Sequence, residues 1–235
     1  MGIIAALTTI DSLQKARTIA AALLLAALAG SCGGDPDSPA PQSLPVDSLP
    51  GVYTGVFPCD GCPGIESRLW LRADGRFFFG QRYPADEDRP ATAVYGLGRW
   101  ALAEDPDLVS LDGKGPRRIF ARVDSDTLEM QTHSDLEHRL SRDAAAPSFT
   151  ATVHMEGTVR RREGGMEFTE CLTGYSVPVS RGADFSRFQH QYRSVGGQHD
   201  PTYVELEGRF SWAGDGAPSG ISIERFITIK AGEGC

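Results

Sequence analysis

From Gly51 to Thr132 the chain is a succession of short aromatic or β-branched runs separated by turn residues, with no helical periodicity between them. The runs are Val52 to Phe57, Ser67 to Leu71, Arg76 to Arg82, Val94 to Leu102, Leu108 to Leu111, Arg118 to Val123 and Thr127 to Thr132. Asp74-Gly75 and Asp112-Gly113 are dipeptides that supply positive φ at hairpin turns. About seven antiparallel strands with short connections predict a small up-and-down, lipocalin-like barrel over residues 51–132. Phe77, Phe78, Phe79, Trp70 and Trp100 are available to fill it, so a packed interior is expected. A small apolar ligand in the barrel mouth is the alternative.

The second half is also mainly β. Strands are expected at Phe149 to Arg161, Met166 to Cys171, Tyr175 to Val179, Thr202 to Trp212 and Ile221 to Ile229. One helix falls between the third and fourth. Phe185, Phe188, Tyr192 and Val195 are spaced three, four and three apart, which places them on one face as core side chains; Asp184 is placed to cap its start and Gly196 to end it. Five strands and one helix predict an OB-like barrel over 149–235. The polar and small residues 133–148 read as the linker between the two domains.

Ahead of both domains, Lys15 and Arg17 precede an apolar run from Thr18 to Leu28, followed by Ala29, Gly30, Ser31 and Cys32. This predicts a signal peptide over 1–31, too short in its apolar core to span a bilayer. The small residues before Cys32 match a lipobox, so Cys32 is expected to carry lipid, each buried methylene adding about 0.8 kcal/mol of membrane affinity. Residues 32–50, with Pro36, Pro39, Pro41, Pro45 and Pro50, form a tether. By resemblance to other Gram-negative lipoproteins, an aspartate after Cys32 would retain the protein in the inner membrane; Gly33 stands there instead, so the outer membrane, facing the periplasm, is the expected location. A formal net charge of −8 argues against nucleic acid as a partner.

Five cysteines leave four once Cys32 is lipidated, an even number that suits an oxidising compartment. They allow three pairings. Cys59 with Cys62 and Cys171 with Cys235 is the simplest, since each pair stays inside one domain, and the long loop of the second would stabilise its domain by about 4 kcal/mol.

Cys59-Asp60-Gly61-Cys62, flanked by Pro58 and Pro63, admits several readings. It is a structural disulfide, a two-thiolate site for a soft ion such as copper(I) with Met130 and His133 as further ligands, or a thiol–disulfide exchange centre. The last lacks the helix that lowers a thiol pKa, and zinc lacks a second cysteine pair. His133 and His138 lie in the linker, and Arg160, Arg161 and Arg162 precede Gly164-Gly165 as a solvated hairpin end. No Ser/His/Asp order, phosphate loop or carboxylate pair stands out, which points away from an enzyme.

The run Gly55-Val56-Phe57-Pro58-Cys59-Asp60-Gly61-Cys62-Pro63-Gly64-Ile65-Glu66, followed by Leu69-Trp70-Leu71, Asp74-Gly75, Gly98-Arg99-Trp100 and Leu128-Glu129-Met130, resembles the N-terminal domain of the NlpE family of copper-resistance lipoproteins. Phe168 to Gly174, Tyr203 to Gly208 and Glu224 to Ile227 ahead of Cys235 resemble that family's C-terminal OB-like domain. The resemblance implies an outer-membrane lipoprotein concerned with copper tolerance and with envelope-stress signalling to an inner-membrane sensor kinase. It implies no catalysis.

Overall fold

The computed structural model describes residues 48–86, 89–196, 201–214, 216–232 and 234–235. The signal peptide, Cys32 and most of the tether lie outside the described residues. Both barrels belong to one compact unit, Ser43–Cys235.

The first barrel is built from β1 (Gly51–Phe57), β2 (Ile65–Leu71), β3 (Arg76–Tyr83), β4 (Thr92–Leu102), β5 (Leu108–Gly113), β6 (Arg118–Arg122), β7 (Thr127–Met130) and β8 (Arg139–Arg142). Each strand pairs antiparallel with the next, and β8 closes on β1 through Tyr53↔Arg142 and Thr54↔Ser141. The eighth strand lies within residues 133–148, where the sequence pattern predicts a linker. Its four residues are too few to show a period, and only Leu140 is apolar; that side chain is fully buried and seals the seam. The chain between the barrels is correspondingly shorter, running from Asp143 to Thr152.

Turn chemistry places one hairpin as expected and moves another. Gly75, at φ 77°, turns β2 into β3. Asp112 and Gly113 are instead the end of β5, paired with Arg99 and Gly98, and the turn follows with Gly115 at φ 98°. Gly98 needs to be glycine because a Cβ there would overlap the Asp112 carbonyl across the ladder.

Alternation along β3 splits its three phenylalanines. Phe77 and Phe79 point inward and join Leu69, Leu71, Leu111, Phe120 and Leu128 in a filled interior. Phe78 and, on β2, Trp70 point outward, contrary to the expectation that they fill the barrel.

The second barrel comprises β9 (Val153–Arg162), β10 (Gly165–Glu170), β11 (Ser176–Ser180), α1 (Phe185–Gln191), β12 (Thr202–Trp212) and β13 (Pro218–Ala231). The closed order is β10-β11-β13-β12-β9, with β11 and β13 parallel at Val179↔Ile221 and Ser180↔Ser222. This is the five-stranded Greek-key arrangement of an OB fold, with its helix between the third and fourth strands. Three register shifts between β12 and β13 supply the bends that let such long strands close a small barrel.

Helix α1 buries Phe188 against the barrel, where it packs on Phe226, and Tyr192, directly after the helix, is buried beside Phe188. Asp184 makes no side-chain cap. Its carboxylate accepts a hydrogen bond from the Phe226 backbone N–H at 2.8 Å, tying the helix start to β13. A π-helical turn, Tyr192–Gly196, follows α1. That wider turn advances each residue by a smaller angle, which carries Val195 out of the apolar stripe to 37% exposure.

Outward Trp70, Phe78 and Leu97 of the first barrel and Phe149, Val153, Met155 and Phe210 of the second form one continuous apolar cluster. Phe149 belongs to no strand; it packs on Phe78 at 5.0 Å and on Tyr95 at 5.8 Å between ring centroids.

Candidate functional site

The loop between β1 and β2 is anchored from below. Phe57, 1% exposed, packs its ring against His138 at 5.1 Å, while Asp60 and Gly61 stand exposed and Cys59 and Cys62 are half-buried. Gly61 adopts φ 69°, a turn that a side chain would strain. Cys59 and Cys62 are joined as a cystine with a Cα–Cα separation of 5.6 Å. Because β1 neighbours both β2 and β8, the β7–β8 connection shares this end of the barrel. It brings His138 beside Phe57, whereas His133 is exposed and Met130 is half-buried against the interior.

Copper(I) binds thiolates, and a cystine offers none, so the fit of this loop to copper is conditional on reduction. Once reduced, Cys59 and Cys62 form a soft pair on an accessible turn.

Cys171 and Cys235 are joined as a second cystine with Cα–Cα 5.4 Å, in the other barrel. Cys171 follows β10 directly, and its N–H donates to the Glu156 carbonyl at 2.9 Å. The residue before it, Glu170, is 1% exposed; one carboxylate oxygen accepts from the Thr173 N–H and hydroxyl at 2.6 Å each. Burial pushes the Glu170 carboxyl above the ordinary glutamate value, against the opposing pull of those hydrogen bonds.

No motif in the sequence marks Arg72. It lies at the end of β2, 5% exposed, with its guanidinium 4.5 Å from the Trp70 ring and 4.6 Å from the Trp212 ring. Its Nε donates to the Tyr175 hydroxyl at 3.1 Å, and a second nitrogen donates to the Gly216 carbonyl. The Tyr175 hydroxyl donates in turn to Asp74 at 2.6 Å, and burial pushes its pKa well up. Arg76 and Arg99 reach the Thr173 carbonyl at 3.0 and 3.1 Å. A buried cation flanked by two indoles, with its hydrogen bonds directed to the other barrel, fixes the two barrels against each other. Only the fold could reveal this, because the acceptors Tyr175 and Gly216 lie over 100 residues away in sequence.

Fold and cystines together define a double-barrel β protein, an eight-stranded up-and-down barrel fused to an OB-type barrel, each with its own disulfide. A family model described as the NlpE N-terminal domain matches residues 53–137. Lipoprotein NlpE of Escherichia coli strain K12 is 30% identical over 193 residues, covering 78% of this chain and 79% of that protein. The chain belongs to the NlpE lipoprotein family. The crystal structure of the Cpx pathway activator NlpE from Escherichia coli matches over 78% of this chain and 96% of its own, at 23% identity and a TM-score of 0.33.

Proposed function

We propose that this chain is an outer-membrane lipoprotein, anchored through lipid on Cys32 and facing the periplasm, which signals envelope stress to an inner-membrane sensor kinase and contributes to copper tolerance. The observation that carries the reading is its 30% identity to Lipoprotein NlpE across most of both chains. Escherichia coli NlpE is a Cpx pathway activator, and an activator role is what we propose for this chain.

Two features of the molecule suit it. The exposed Cys59–Cys62 loop acts as the redox element, a closed clip when oxidised and, when reduced, the pair of residues that would hold copper(I). The Cys171–Cys235 cystine acts as a check on folding, since a chain that fails to form it has a destabilised second barrel. Tethered at the wrong membrane, or left unfolded, the protein reaches the kinase.

Retention at the inner membrane tests this directly. Gly33→Asp, expressed at the native level, is expected to raise output from a reporter of the envelope-stress kinase; unchanged output overturns the signalling reading. Thiol trapping with mass spectrometry on the mature protein, with and without copper, tests the loop. Copper-dependent protection of Cys59 and Cys62 that is lost in Cys59→Ser/Cys62→Ser supports the copper role, and two permanently paired cysteines indifferent to copper refute it.

A further inference from the structure

A third group of side chains converges away from both cystines. His154 and Glu156 are two apart on β9 and therefore share its outward face. In the β9–β12 ladder Glu205 lies directly opposite Glu156, and the ligand atoms of His154, Glu156 and Glu205 all fall within 4.8 Å of one another. A cation already touches two of the three. Lys114, from the β5–β6 turn of the first barrel, places its Nζ 2.5 Å from Glu156 Oε1 and 3.3 Å from His154 Nε2.

The same His154 Nε2 lies 2.9 Å from Glu205 Oε1. These two contacts make opposite demands on one nitrogen: the carboxylate requires an N–H, and the ammonium requires a lone pair. A metal ion accepts the lone pair and both carboxylates at once. An independent observation points the same way. Glu170, 1% exposed, lines the adjoining pocket of about 420 Å³ together with Lys114, His154 and Glu156, and its Oε1 has no hydrogen-bond partner.

We propose that His154, Glu156 and Glu205 form a site for a divalent first-row transition cation, zinc or copper(II), which binds by displacing the Lys114 ammonium. One imidazole nitrogen and two carboxylate oxygens are a borderline donor set, unlike the soft sulfur pair of Cys59 and Cys62, with water completing the coordination. Ligand bonds near 2.1 Å put donor atoms about 3.4 Å apart; His154 Nε2 and Glu205 Oε1, at 2.9 Å, already stand inside that separation, and rotation of the half-exposed glutamate side chains closes the rest, none above 4.8 Å. The site spans the barrels in a competitive sense: the ion and the first barrel's lysine contend for the same carboxylate. It does not depend on the signalling role or on the cysteine loop.

The test is isothermal titration of the tag-free full-length chain in detergent with zinc chloride, in the wild type and in Cys59→Ser/Cys62→Ser. One equivalent should bind in both. His154→Gln and, separately, Glu205→Gln should each weaken binding at least tenfold, and Lys114→Met should tighten it severalfold. Copper(II) bound to the same protein should give an electron-spin resonance spectrum with coupling to one imidazole nitrogen, lost in His154→Gln. Absence of a stoichiometric equivalent, or full affinity in both the His154 and Glu205 variants, overturns the site. Unchanged affinity in Lys114→Met overturns the displacement.

Discussion

Replacing Cys171 and Cys235 by serine should be the most destabilising change available at the cysteines, and its size can be worked out. The two residues are 64 apart in sequence. Closing such a loop removes chain entropy from the unfolded ensemble worth about 4 kcal/mol at 25 °C, whereas the Cys59–Cys62 ring, with a separation of 3, gives about half that. The folded state loses little in either case. Cys171 keeps its backbone hydrogen bond to the Glu156 carbonyl, and Cys235 is exposed. The difference should therefore appear almost wholly as a lower urea midpoint with the fold retained. With a slope of about 2 kcal/mol per molar urea, Cys171→Ser/Cys235→Ser should shift the midpoint down by about 2 M. Fluorescence of Trp70, Trp100 and Trp212 reports the transition. A loss below about 1 kcal/mol, or a larger loss from Cys59→Ser/Cys62→Ser, would falsify the account, because the effect would then not follow loop length.

Other perturbations probe the contact between the barrels and the buried charge. Arg72→Met should cost about 3 kcal/mol in chemical denaturation, since it leaves the Tyr175 hydroxyl and the Gly216 carbonyl without their donor and removes the cation between two indoles; a neutral result would show that the guanidinium is dispensable. Phe78→Ala should lose about 4 kcal/mol, a core-sized penalty for an outward-facing residue, and a surface-sized loss below 1 kcal/mol would contradict the shared cluster. Glu170 has its pKa raised by burial, so the folded state holds its proton more tightly than the unfolded chain does. Its contribution is then full below the ordinary value of 4.5 and is lost as pH rises through the raised value. Glu170→Gln should flatten that decline in urea midpoints measured from pH 4 to 8 with chelator present, and an unchanged profile would assign the slope to other groups.

Much of the architecture can be read from residue patterning. Seven of the eight strands of the first barrel announce themselves as aromatic or β-branched runs, and the aromatic spacing at Phe185, Phe188 and Tyr192 marks the helix. What escapes notice does so for physical reasons. Arg139–Arg142 is too short to display a period, yet ladder closure makes it a strand. Three phenylalanines in a row give no indication that the middle one serves a different core from its neighbours. Asp112-Gly113 has the composition of a hairpin turn but stays in the ladder because Gly98 leaves room opposite it. The cysteines are visible at once, and locality alone suggests the pairing seen in the structure. The His154-x-Glu156 spacing was also available as a signal, but its third member, Glu205, depends on the β9–β12 register.

The alternating faces of β3 have a consequence for any attempt to treat this molecule as modular. A gene cut between Asp143 and Thr152 divides the polypeptide at its thinnest point but divides the apolar cluster through its middle. The N-terminal piece would present Trp70, Phe78 and Leu97 to water, and the C-terminal piece would present Phe210 and the rest of the matching face. Exposed patches of that kind favour aggregation over solubility. Recombination that swaps one barrel for a foreign one therefore succeeds only where the donor brings the same outward residues. The inheritable unit is the pair.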